Sequence, residues 1–424
     1  MNKFLRLIIL KILQLEARLI LWRHKPFIVA ITGSVGKTST KEAIATLLAE
    51  HFFIRKTPKS FNSEIGVPLA ILGLDNAWHS PKMWLQNLIK GLGHVLSRSA
   101  YPEVLVLEMG VDRPGDLARL LSWIKPNIAV ITAIGKTPVH VEFFAGPEDV
   151  AAEKAMLVRA LSEDGVAILN GDDRIVLNMQ KLTHGRVITY GLTKGVDVRA
   201  SQYKMLAKGA VPYGISFKVD ALGKMLPIRV EGVIGEQAIF AFLAATAVGI
   251  ARGLNLIEIA EGLAKYKAPP GRLACIAGKN SSLIIDDSYN ASPLATDAAL
   301  KVLAGISASR KIAVLGDMLE LGKFTPEEHR RVGLEAARAA QVLIAVGVRA
   351  KFMETARSKQ FFWFPDSRAA ADFLLHFIKP GDVLLVKGSQ GLRMERVVEA
   401  LMAEPERAHE LLVRQEQYWL RRTF

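Results

Sequence analysis

A single cysteine, Cys275, in a chain of 424 residues excludes a disulfide framework and any cysteine-based zinc or iron–sulfur site, and suits a reducing compartment. Acidic residues are in short supply: 41 Asp and Glu face 55 Lys and Arg, a net charge of +14. The sequence carries no internal repeat and no low-complexity segment. With 50% apolar and 23% charged residues, it falls outside the disordered, collagenous and coiled-coil classes. At roughly 150 residues per domain, two or three domains with sizeable cores are expected. The positive excess points to an anionic partner: nucleic acid, a phosphorylated substrate or an acidic membrane.

That excess is uneven. Residues 1–25 hold six basic side chains, Lys3, Arg6, Lys11, Arg18, Arg23 and Lys25, against one acid, Glu16. The run KFLRLIILKILQLEARLILW (3–22) has no clean apolar stretch longer than residues 7–10, far below the roughly 20 residues of a membrane-spanning helix. It also lacks the long apolar core and small-residue cleavage site of a signal peptide. At helical periodicity Lys3, Lys11, Gln14, Arg18 and Lys25 share one narrow stripe, and Leu, Ile, Phe and Trp22 fill most of the rest. Such an amphipathic helix fits an anionic membrane surface. Packing on the body of the protein or on a partner chain, and a true span, are the other readings.

Pro26 closes that pattern. FIVAIT (27–32) reads as a buried strand and leads directly into Gly33-Ser34-Val35-Gly36-Lys37-Thr38-Ser39, followed by a helical pattern over 40–48. Strand, glycine turn with Lys-Thr, and helix are the context of a phosphate-binding loop. Glycines let backbone amides approach phosphate oxygens, and the helix N-terminus adds partial positive charge. Lys37 is placed to reach β/γ-phosphates and the Thr38 hydroxyl to ligate Mg²⁺. Ile31 stands where the longer form of the motif has its first glycine. A glycine turn that holds no nucleotide is the alternative.

Further on, EVLVLEMG (103–110) reads as a strand ending in Glu108, and NIAVITAI (127–134) as another, followed by His140. Polar residues just past such runs occupy strand C-terminal ends, where open α/β sheets place ligands. Glu108 and His140 can ligate a divalent ion or be satisfied loop residues. Lys154, in a helical stretch over 148–161, reads by itself as a solvated lysine. Strands are expected at 165–170 and 187–191, several short ones over 197–231, and an apolar helix over 235–251. Ala268-Pro269-Pro270-Gly271 is a candidate hinge. Strand-like runs then recur near 283–285, 311–315, 342–346, 361–364 and 382–387 with helical patterns between, the signature of a second doubly wound α/β domain. Polar groups gather at its strand ends: Asp286-Asp287-Ser288-Tyr289-Asn290, Gly316-Asp317 and Lys387-Gly388-Ser389.

Taken together these runs resemble the Mur ligase family of ATP-dependent amide ligases over residues 28–401. The matching pieces are TGSVGKTSTKE (32–42), SFNSEIGVPLAIL (60–72), LEMGVDRPGDLARL (107–120), PNIAVITAIG (126–135) with His140, EKAMLV (153–158), PPGRL (269–273), IDDSYNASP (285–293), VLGDMLELG (314–322) and VKGSQGLRMERVVEAL (386–401). The resemblance implies an α/β fold: an amphipathic helix (1–25), a phosphate-loop ATPase domain (26–268) and a Rossmann-like C-terminal domain (269–424). It implies ATP held by Gly33, Ser34, Gly36, Lys37, Thr38 and Ser39, with Asp287, Tyr289 and Asn290 on the ribose and adenine side. Thr38 would hold one Mg²⁺. Glu108 and His140 would hold a second, stabilised by a carbamylated Lys154, and Arg272 would approach the γ-phosphate. Asn62 and Glu64 would face the acceptor peptide, with Lys387, Ser389 and Arg393 in the C-terminal substrate region.

The activity implied is an ADP-forming ligation of D-Ala-D-Ala to a UDP-MurNAc-tripeptide-type precursor in cytoplasmic peptidoglycan synthesis. Only 32 residues precede Gly33, where relatives carry a folded uridine-diphosphate-gripping domain, and the basic helix stands in that place. A lipid-linked muropeptide acceptor, with peripheral contact at the inner face of the cell membrane, would suit it. Glu236, Gln237 and Phe240 replace residues that help hold adenine in relatives. A Mur-like ligase for a polyglutamate-type or membrane-linked polymer, and an inactive membrane-tethered scaffold, are the competing functions. No nucleic-acid-binding motif stands behind the basic charge.

Overall fold

The computed structural model describes residues 3–58, 61–78, 80–97, 99–355 and 360–420. Met1 and Asn2 of the basic segment, Ser60 of the 60–72 motif and residues 421–424 of the C-terminal domain lie outside the described residues.

The first sheet comprises β1 (Phe27–Thr32), β2 (Ile54–Lys56), β3 (Val104–Glu108), β4 (Ile128–Ile131), β5 (Val166–Asn170), β6 (Arg186–Gly191), β7 (Val198–Lys208), β8 (Val211–Ala221) and β9 (Lys224–Glu231), in the order β2-β3-β1-β4-β5-β6-β7-β8-β9. Strands β1 and β3 to β5 are almost wholly buried apolar runs and pair in parallel, as strands covered on both faces must. The expected cluster of short strands over 197–231 is instead three long antiparallel ones. Tight hairpins join them at Gly209 (φ 62°) and at Leu222-Gly223 (φ 54° and 69°), turns whose twist matches that of the strands.

Nine helices accompany this sheet among the described residues: α1 (Lys3–His24), α2 (Lys37–Leu48), α3 (Gly66–Leu72), α4 (Pro81–Leu96), α5 (Asp116–Leu121), α6 (Pro147–Arg159), α7 (Arg174–Leu177), α8 (Ile239–Ala251) and α9 (Leu256–Ala264). Helices α2, α8 and α9 cover one face, packing Leu47, Phe242 and Leu263 on Val29 and Ile31. Helices α1, α3, α5 and α6 cover the other with Leu13, Ile71, Leu120 and Leu157 on Leu107.

The first helix thus packs on the body of the protein. Ile9, Leu13, Glu16, Ala17 and Ile20, spaced at helical intervals, are buried. Glu16 presses against α4 at Gly91, where a Cβ would come within 2.1 Å of its Oε2. Among the described residues no helix is long and apolar enough to cross a membrane.

The second sheet holds β10 (Ala274–Ala277), β11 (Leu283–Asp287), β12 (Arg310–Gly316), β13 (Val342–Val346), β14 (Gln360–Phe364) and β15 (Asp382–Lys387), ordered β10-β11-β15-β12-β13-β14. All pairs are parallel except β10 with β11. Helices α10 (Pro293–Gly305) and α11 (Thr325–Ala339) cover one face, α12 (Ser367–Phe377) and α13 (Glu395–Leu401) the other. The two lobes touch beyond the strand ends, where Thr137 Oγ1 donates to Glu328 at 2.7 Å and the Glu142 amide to the Glu320 carbonyl at 3.3 Å.

Burial pushes the Glu16 carboxyl up to about 7 from its ordinary 4.5. The unfolded chain ionises first, so stability is lost as pH climbs from about 4.5 to about 7. Glu16→Gln should therefore raise Tm in thermal unfolding at about pH 8 and leave it almost unchanged at about pH 4.

Candidate active site

Strand β1 lies between β3 and β4, the point where the strand order reverses, and its C-terminal end opens into a crevice. The strand runs through Ile31, which is fully buried and in register with Glu108, so the loop begins only at Gly33. Gly33 (φ 148°) runs so close to β4 that a Cβ would sit 1.9 Å from Thr132 Oγ1. The Ser34 and Val35 amides donate to the Ala133 carbonyl at 2.8 and 3.0 Å, fixing the loop against that strand's extension. Gly36 (φ 87°) then starts α2 with no side-chain cap, leaving the first helical amides to face the crevice. Lys37 Nζ curls back onto the Gly33 carbonyl at 2.9 Å. Ser39 hydrogen-bonds the buried Tyr266 phenol.

Glu108, at the end of β3, is 2% exposed and sits among donors. Thr38 Oγ1 donates to its Oε2 at 3.1 Å, Asn62 Nδ2 to its Oε1 at 3.1 Å, and Lys41 Nζ lies 3.7 Å from Oε2. Its own amide donates to Thr57 Oγ1 at 2.7 Å. Arg272 reaches over from the second lobe, its Nη2 3.4 Å from Thr38 Oγ1 and its guanidinium 4.1 Å above the Tyr289 ring. Lys154, on α6, is 1% exposed, and among the described residues no hydrogen bond or ion pair engages its ammonium. Burial first, then neighbouring Lys37, holds its pKa well below the usual lysine range. Lys37 is lowered as well, by burial and by Arg272 against the opposing pull of Glu108. Ser34 Oγ and Arg272 Nε are buried at the loop without hydrogen-bond partners. Cations in excess of carboxylates, uncapped amides and unpaired polar atoms together make a cradle for a polyanion.

His140 (φ 67°) stands between the lobes, with Nδ1 2.7 Å from Glu320 Oε2 and Nε2 3.5 Å from Asp112 Oδ1. The imidazole holds the Glu320 carboxyl below its ordinary range. In the second lobe, Asp287 and Lys387 are paired across β11 and β15, their side chains 2.5 Å apart, and Lys387 also reaches the Asn290 carbonyl at 3.0 Å. Ser389 Oγ accepts the Leu319 amide at 2.9 Å and so fixes the loop that carries Glu320. Arg393 is buried against Glu395 and holds the Trp419 carbonyl at 2.7 Å. Asn62 and Glu64 line a cleft of about 320 Å³ beside the phosphate loop, where Glu64 pairs with Arg119.

Comparison with known proteins bears on this geometry. The Mur ligase middle domain matches residues 31–249, and the Mur ligase glutamate ligase domain matches residues 271–390. The chain belongs to the Mur ligase family. It is 32% identical over 380 residues to the UDP-N-acetylmuramoyl-tripeptide–D-alanyl-D-alanine ligase of Escherichia coli K12, covering 88% of this chain and 76% of that one. The ligase of the same name from Bacillus subtilis 168 is 27% identical over 385 residues, with 89% and 76% covered. Among solved structures, MurF from Acinetobacter baumannii superposes with a TM-score of 0.78 at 25% identity, covering 92% of this chain and 79% of that one. MurF from Thermotoga maritima in complex with ADP gives 0.77 at 27%, covering 94% and 84%.

In this Mur ligase three side chains at the site escaped the reading of single residues. Lys41, Asp112 and Glu320 all lie inside motif runs, yet each acquires its partner from a distant segment: Lys41 from Glu108, and Asp112 and Glu320 from His140. The motif runs were the available signal; spacing alone could not pair them.

The close passage at Gly33 generates a prediction. Gly33→Ala combines a backbone angle that disfavours a side chain with a clash against Thr132. It should weaken ADP binding roughly tenfold or more in isothermal titration.

Proposed function

We propose that this Mur ligase couples ATP cleavage to amide formation, joining D-Ala-D-Ala to a UDP-MurNAc-tripeptide-type carboxylate through an acyl phosphate. The observation that carries the reading is the approach of Arg272, from one lobe, to Thr38 and Lys37 on the other. Charge from both lobes then meets where a γ-phosphate and an acceptor carboxylate must approach each other.

A carboxylate is a poor electrophile. Its oxygen attacks the γ-phosphorus, the bond from that phosphorus to the bridging oxygen breaks, and ADP leaves with the bond's electron pair. The amine of D-Ala-D-Ala then adds to the acyl carbon, loses a proton, and expels phosphate to leave the amide. Lys37, Arg272 and the α2 amides spread stabilisation over the phosphate oxygens, where preorganised charge has its greatest effect. Contact between the lobes excludes water from the acyl phosphate. Asp287, Tyr289 and Asn290 receive the ribose and adenine, and Asn62 and Glu64 the acceptor peptide.

Thr38 and Glu108, whose oxygens lie 3.1 Å apart in a buried setting, fit one Mg²⁺, an ion content with few protein ligands. Among the described residues no group of three or more His, Cys, Asp or Glu is arranged to hold a metal ion, so Glu108 and His140 need another anionic ligand to hold a second ion. Carbamylated Lys154 would provide it. The neutral amine is the form that attacks CO₂, and burial beside Lys37 favours that form. Bound ions would supply positive charge against the phosphate and carboxylate oxygens.

A lipid-linked muropeptide, with peripheral membrane contact through residues 1–25, is a second reading of the acceptor. It is favoured by the walls of the acceptor cleft, where Arg6, Leu7 and Leu10 of α1 stand beside Asn62 and Glu64.

Amine-dependent phosphate release tests the reading. Lys37→Ala should reduce turnover by about 100-fold or more, and unchanged release would remove the mechanism. Lys154→Ala should be weak and partly restored by formate or acetate; full activity without rescue would return Lys154 to a packing role.

A further inference from the structure

Helix α1 has two apolar faces, and the core uses only one. Ile8, Ile12, Leu15, Leu19 and Trp22, at intervals of four, three, four and three, form a second stripe that is exposed, with Trp22 at 76%. Helix α4 repeats the pattern. Trp84, Asn87 and Gly91 face inward, while Leu85, Ile89, Leu92 and Leu96, again spaced four, three and four, lie outside at 51–71% exposure. The two helices run side by side in the same direction: Glu16 lies against Gly91, and further along both helices Arg23 donates to the Val95 carbonyl. The exposed stripes thus belong to two helices that pack against each other, each on the part of its helix that the core leaves uncovered. Nine large apolar side chains in one patch exceed what a soluble surface ordinarily shows.

The charge around the patch identifies what covers it. Lys11 and Arg18 on α1 and Lys82 and Lys90 on α4 are all exposed. The two helices contain one acid, Glu16, which is buried and raised to about 7. A second copy of the same face would bring these cations together, whereas an anionic bilayer complements them and receives the apolar stripes. Helix α1 also supplies Arg6, Leu7 and Leu10 to the wall of the acceptor cleft, so the helix that carries half of the patch borders that cleft as well.

We infer that α1 and α4 together form a docking surface for an anionic lipid bilayer, holding the acceptor cleft at the headgroup plane. This deepens the membrane-contact reading of the acceptor given above and rests on it for its functional meaning. Half of the surface comes from α4, outside the basic N-terminal segment.

The test uses the full chain and extruded vesicles of phosphatidylcholine, with and without phosphatidylglycerol. Wild type should co-sediment with the mixed vesicles and about tenfold less with pure phosphatidylcholine, and binding should weaken as salt rises. Leu85→Glu/Ile89→Glu/Leu92→Glu should lower binding roughly tenfold or more, and Lys82→Glu/Lys90→Glu should abolish the preference for the anionic lipid. These positions are exposed, and unchanged thermal unfolding and phosphate release with a soluble acceptor would separate loss of docking from loss of fold. Absence of binding by wild type, or equal binding by the triple variant, overturns the inference. So does a wild-type dimer in light scattering that the triple variant dissociates, which would give the patch to a second copy. Failure of wild-type phosphate release would instead count against the ligase reading and leave the vesicle result standing by itself.

Discussion

Like charge held together without enough counter-charge is the constraint on which the site depends. Lys37, Lys154 and Arg272 converge on a crevice whose one buried carboxylate, Glu108, is already shared among Thr38, Asn62 and Lys41. Burying cations in this way opposes folding unless their charge is lost or a polyanion arrives to balance it. Burial depresses both lysines, and the phosphate-loop amides add partial positive charge of their own. The cleft is thus prepared for a ligand with several negative charges packed closely, which is the chemical character of a triphosphate meeting a carboxylate.

That constraint explains why the site is divided between two lobes. A single sheet edge could gather the cations permanently, at a standing cost in stability. Arg272 and Glu320 come from a separate α/β unit, so the full charge pattern exists only where the two lobes are in contact. His140 is the element that registers this meeting, because its ring faces Asp112 of its own lobe and Glu320 of the other. Glu320 in turn depends on Ser389, which holds the neighbouring Leu319 amide. A residue of the second lobe thus positions the loop whose carboxylate meets His140.

The positions of many strands were legible in the sequence because buried parallel strands are short apolar runs bounded by turn residues. The runs at 27–32, 342–346 and 382–387 coincide with β1, β13 and β15. The phosphate loop was legible because glycine is required where backbone passes within contact of Thr132. Strand β10 was not, since ACIA has four residues and no flanking alternation to mark it. Nor were the partners of Arg393, since Trp419 lies far along the chain from it. Partners distant in sequence, such as His140 and Glu320, are invisible to spacing because the fold alone brings them together.

Helix α1 shows the same limit in another form. Its periodicity reveals a broad apolar surface and a basic stripe, but periodicity cannot say how much of that surface the protein itself consumes. The core takes the arc of Leu13, Ala17 and Ile20, and α4 lies along one flank. What remains, from Ile12 to Trp22, is too apolar for water and too cationic to meet its own copy. The chain's excess of positive charge therefore divides between two tasks. In the crevice it is buried and directed at phosphate; along α1 and α4 it is solvated and borders an apolar face. Nucleic acid would answer the charge in both places but the apolar stripes in neither, whereas a phospholipid surface matches the second and leaves the first to the nucleotide.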